Sequence, residues 1–149
     1  MSTILMPTRE FRTWAVIYRS EDESSWIAHT VFYNLMAWGD TPAEARAELE
    51  QVFDEAILDD LNSGFDSARR PNAPDDVQQR LTHLQSVGRR VDLSAPDVAE
   101  REQVKEFAFF LTRAFIGVAV EEPSGVRTLQ YGHPRSRPER WASLSASLT

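Results

Sequence analysis

Cysteine is absent from this chain of 149 residues. That removes disulfides and thiolate metal ligands together, and it excludes a small secreted scaffold held by bridges. Long apolar runs are missing as well. No stretch approaches the ~20 apolar residues of a membrane-spanning helix, and the first ten residues hold too short an apolar run for a signal peptide. The most apolar segment, residues 107–120, is interrupted by Thr112, Arg113 and Gly117 and reads as core. The cytosol is the expected compartment. Lysine is nearly missing, Lys105 being the one exception to an all-arginine basic set.

Groups that carry chemistry are also scarce. The three histidines are His29, His83 and His133, and no two are three or four residues apart, the helical spacing that turns two ligands toward one ion. The Ser-rich stretches lack a Gly-x-Ser-x-Gly context, and no glycine-rich loop could cradle a phosphate. Asp54, Glu55, Asp59 and Asp60 share a helical segment whose other side is apolar, so they read as a solvated acidic face. No catalytic, metal or cofactor residue is assigned, and the expectation is a binding protein and not an enzyme.

What is present suits one α+β domain. Hydrophobic residues make up 42% and charged residues 26%, with eight Phe and four Trp to fill a core. Residues 11–19 alternate, with Trp14, Val16 and Tyr18 on one face and Phe11, Thr13, Ala15 and Ile17 on the other, which predicts a strand. A polar turn at residues 20–25 leads to a second strand over 26–32, and a third over 34–38 stops at Gly39, giving a three-stranded antiparallel meander. Thr41, Pro42 and Glu44 then stand as cap, first residue and capping-box carboxylate of a helix. Its apolar stripe is Leu49, Val52, Phe53, Ala56, Ile57 and Leu61, and Gly64 offers its left-handed stop.

Residues 69–74 form a connector, and Val77, Leu81, Leu84 and Val87 mark a shorter helix ending near Gly88. A third helix is expected from near Pro96, capped by Ser94, to about Ala114, followed by a strand to Glu121. The periodicity of residues 107–120 fits helix and strand alike. A turn at Pro123, Ser124 and Gly125 and a partner strand over 126–131 complete a C-terminal hairpin. Residues 132–149, rich in Pro, Arg and Ser, read as a flexible basic tail.

The order of strand, polar hairpin, Trp26-Ile27-Ala28, third strand and Gly39-Asp40-Thr41-Pro42-Ala43-Glu44-Ala45 opening a helix resembles the HicB family of antitoxins over about residues 11–62. The resemblance implies a partial ribonuclease-H-like fold and a partner that is a small basic ribonuclease toxin. Two departures stand out. Residues 31–36 lack the family's Pro-Gly-Cys turn, and residues 66–149 show no ribbon-helix-helix or helix-turn-helix unit, so operator binding is not implied.

Charge divides the chain unevenly. Residues 1–68 hold 4 Arg against 13 acids, and residues 69–149 hold 12 basic residues against 10 acids. An acidic first half suits a basic protein partner. Trp26, Phe32, Tyr33 and Trp38 exceed what a short meander buries, so they are candidate partner anchors, with Glu48 and Glu55 steering a basic partner toward them. A homodimer through a sheet edge is expected for the same reasons. The alternative is a nucleic-acid-associated regulator using Arg127, Arg135, Arg137 and Arg140.

Overall fold

A computed structural model describes residues 7–90, 104–136 and 144–147. The chain is α+β. Strands β1 (Thr8–Arg19), β2 (Trp26–Thr30) and β3 (Met36–Gly39) form the expected antiparallel meander, followed by helices α1 (Pro42–Ser63) and α2 (Asp75–Val87). The remaining described strands are β4 (Arg89–Arg90), β5 (Val104–Glu121), β6 (Arg127–Tyr131), β7 (Arg135–Ser136) and β8 (Leu144–Ser147). Their order runs β3-β2-β1-β5-β8-β4, with β6 and β7 also paired to β5.

The alternation of β1 decides the layering. Phe11, Ala15 and Ile17 face α1, whose Ala45, Leu49, Phe53 and Ile57 complete that core. Val16 faces the other way, where Val77, Leu81 and Leu84 of α2 pack on it beside the half-buried Trp14 and Tyr18. The sheet is therefore covered by a helix on each face near β1.

The third predicted helix is corrected. Its start lies outside the described residues, but residues 104–114 are strand, continuous with the expected strand to Glu121, and β5 pairs antiparallel with β1 from Thr8↔Ile116 to Tyr18↔Glu106. Phe107, Phe109, Leu111 and Phe115 enter the α1 core, while Ala108 enters the α2 core. A strand covered on both faces loses its polar alternation, which is why periodicity could not identify it.

The α1 start forms as its sequence indicates. Thr41 Oγ1 accepts from Glu44 N at 3.1 Å, and Glu44 Oε2 accepts from Asp40 N at 3.0 Å. Gly39 is required there, because a Cβ would collide with the backbone of Glu44 and Ala45. The segment expected as a tail supplies β7, paired with β5 at Arg113↔Ser136, and β8, which lies between β5 and β4.

Candidate functional site

The β2–β3 turn is the most unusual piece of backbone. Both strands are shorter than the sequence suggests, and between them Tyr33 and Asn34 take φ of 70° and 50°. A bulky residue in that region is rare and strained. Its surroundings hold it. Thr30 N donates to Leu35 O and Leu35 N donates to Thr30 Oγ1, each at 2.9 Å. Phe32 N donates to Thr13 Oγ1 at 2.9 Å, and Val31 N donates to Trp14 O at 2.8 Å. Asn34 Oδ1 lies 2.5 Å from Nε2 of the buried His29, whose Nδ1 is 3.5 Å from Tyr18 Oη. The Tyr33 ring meets Phe11 and Phe53 edge-on at 6.0 and 5.8 Å, and its burial pushes the phenol pKa up. All of this leaves Phe32 50% exposed.

A second exposed aromatic stands close by. Gly64, at φ 80°, ends α1 and turns the chain to Phe65, which is 46% exposed. The loop after it is pinned by Asp60, whose carboxylate accepts from Arg70 Nε and Nη2 at 2.7 and 2.8 Å and from Ser67 Oγ at 2.9 Å. Burial pushes the Asp60 pKa up, but the Arg70 and Ser67 hydrogen bonds outweigh it and hold the carboxyl below its ordinary value. The Arg70 guanidinium lies over the Phe65 ring, 5.8 Å from its centre.

These residues frame two adjoining clefts with Ser67 in common. One, of about 430 Å³, is lined by Arg9, Phe11, Leu61, Gly64, Phe65, Asp66, Ser67, Leu129 and Tyr131. The other, of about 200 Å³, is lined by Phe32, Tyr33, Ser67, Ala68, Arg70 and Asn72. Asn62 fixes the far wall as a strand would, its Oδ1 accepting from Tyr131 N at 2.8 Å and its Nδ2 donating to Tyr131 O at 3.1 Å. Walls that mix aromatic rings with polar and charged groups, Arg9, Asp66, Ser67, Arg70 and Asn72 among them, suit a short peptide segment.

Of the sequence candidates, Phe32 and Tyr33 meet here. Trp26 is corrected: it is 3% exposed and packs beside Phe107 in the α1 core, so it cannot anchor a partner. Trp38 is 54% exposed, at the opposite end of β3 from the turn. Glu48 and Glu55 lie exposed on α1, Glu55 accepting from Gln51 Nε2 at 3.3 Å. The acidic face is less uniform than its sequence implies. Asp60 is buried, and Asp54 and Glu50 flank the buried Arg113, at 3.0 and 3.4 Å, beside a cleft of about 310 Å³ that His133 also lines. Burial pushes the Asp54 pKa up despite the Arg113 guanidinium.

Arg127 is exposed on β6 and Arg135 lies in β7, while Arg137 and Arg140 fall outside the described residues. Among the described residues no group of three His, Asp or Glu side chains could hold a metal ion, and no helix is long and apolar enough to cross a membrane. Sequence reading missed Phe65, Arg9, Leu129 and Tyr131, because loop and hairpin residues 64 positions apart carry no local sign that they meet. Comparison with protein-family models, with curated proteins and with solved structures finds no match to this chain.

Proposed function

We propose that this chain is a protein-binding domain that masks or recruits a basic macromolecular partner, an antitoxin-like role of the kind the HicB resemblance implies. The observation that carries the proposal is the over-determined turn at Tyr33 and Asn34. Backbone strain of this kind persists only where the surroundings enforce it, and it gathers at ligand clamps. Here it sets Phe32 in the wall of the smaller cleft, while Phe65 lines the larger one that adjoins it at Ser67. Exposed aromatics at the centre of an interface supply most of its binding energy.

The acidic side of α1 adds direction. Glu48 and Glu55 project into solvent, where their field raises the encounter rate of a cationic partner. In this reading the HicB-like part is β1 to α1, with β5 laid beside β1 as the sheet's next strand. The proposal assigns no catalytic group.

Capture by the tagged protein from extract of its native cell, with the bound species identified, tests the reading. Recovery of one stoichiometric protein of high isoelectric point is the expected result. Recovery of nucleic acid alone, or of no stoichiometric species at any salt concentration, would contradict it.

A further inference from the structure

Strand β3 ends the sheet, and no described strand pairs with its outer side. Open edges are usually blunted by Lys, Pro, a bulge or a covering element. The Met-Ala-Trp-Gly sequence of β3 contains neither Lys nor Pro. Its two faces differ. Ala37 lies in the α1 core, whereas Met36 and Trp38 belong to the face where α2 packs. That helix covers Val16, Val31 and Ala108 but leaves the outer strands: Ile27, Met36 and Trp38 join neither core. Tyr18, Ile27 and Trp38 instead form a cross-strand row that ends in the exposed indole.

Carboxylates flank this edge. Asp40, Glu44 and Glu48 are exposed where β3 passes into α1, and Glu21, Asp22 and Glu23 are exposed in the hairpin beyond the Trp26↔Gly39 pair. Hydrogen bonds from Ser24 and Ser20 hold Asp22 ionised, its pKa lowered to about 2. Arg19, which precedes this turn, is turned over the Trp26 ring.

We propose that β3 is an acceptor edge, to which a basic extended segment of the partner adds as a further strand, its apolar residues covering Trp38 and its cations meeting the flanking carboxylates. This rests on the reading of the chain as a binder of a basic protein and names how that protein is held. Main-chain hydrogen bonds along the edge give affinity and the alternate side chains give specificity. A second copy of the chain suits the edge poorly. Two-fold pairing would bring together two edges that each carry the exposed Asp40, Glu44 and Glu48, and carboxylates brought near one another repel.

The test uses the full chain, a synthetic peptide of alternating Lys and Val, and an otherwise identical peptide of alternating Glu and Val. The Lys peptide is expected to bind and to slow amide hydrogen exchange at residues 36–39, while the Glu peptide does not bind. Trp38→Lys and Trp38→Ala, each checked for an intact fold by circular dichroism, are expected to weaken binding about tenfold or more. Binding without protection of residues 36–39, binding by both Trp38 variants as tight as that of the wild-type chain, or no binding would overturn the proposal. So would a free protein that is already a dimer with those amides protected, which would give the edge to a second copy. A captured partner that ignores Trp38→Lys but is lost with Phe32→Ala and Phe65→Ala together would sink the edge proposal and leave the protein-binding reading standing.

Discussion

At the scale of single residues, the site depends on side chains that hold strained or buried partners in place. Asn34 adopts φ 50° and lies against His29 Nε2, so Asn34→Ala loses that hydrogen bond and keeps the left-handed backbone. A loss of about 1–3 kcal/mol in urea denaturation is expected. Asn34→Gly removes the strain along with the bond and should cost less.

Asp60 couples the Phe65 loop to pH. Its folded pKa is depressed, so its contribution is present above the unfolded pKa and is lost as pH falls through the folded value. Asp54 has the opposite sign: its folded pKa is raised, so its ionisation costs stability as pH rises through that value. Asp60→Asn should therefore flatten the acid side of the stability profile, read from denaturant midpoints across the carboxylate range, whereas Asp54→Asn should not lower it there. Neither role shows in the sequence. Asp54, Glu55, Asp59 and Asp60 look alike along the chain, and only the placement of Arg70 and Arg113 separates them.

Among the elements, those with local signals form where the sequence predicts them. The cap at Thr41, the stop at Gly64 and the alternation of β1 are short-range patterns, and each is found. Thr41→Ala is expected to destabilise by about 1 kcal/mol. Gly39→Ala is expected to cost more, because its Cβ meets backbone that cannot turn aside. Thermal melts of both variants would check the order.

Only the end of β5, from residue 115 to Glu121, is legible as strand; residues 104–114 are not, since burial on both faces makes their pattern indistinguishable from a buried helix. The β2–β3 turn was equally hidden. Nothing local announces that Tyr33 is held at positive φ, because the hold comes from Thr13, Phe11 and Phe53 far along the chain. Within the candidate aromatic set, Phe32 and Trp38 are exposed, Tyr33 is half-buried and Trp26 is buried. Pattern could tell that Trp26, Phe32, Tyr33 and Trp38 exceed the needs of a meander, and only packing could tell that Trp26 belongs to the core.

On the scale of the whole molecule, the proposed binding divides into arrival and retention. Glu48 and Glu55 contribute through their field, so Glu48→Lys and Glu55→Lys together should slow association and weaken its salt dependence with little change in dissociation. The aromatic end should govern how long the partner stays. The most direct measurement is the dissociation rate of the captured partner from the wild-type chain and from the Phe32→Ala, Phe65→Ala double variant, by surface plasmon resonance on protein of verified fold. The account predicts dissociation at least about tenfold faster from the double variant, with the association rate little changed. Equal dissociation rates for the two proteins would contradict it.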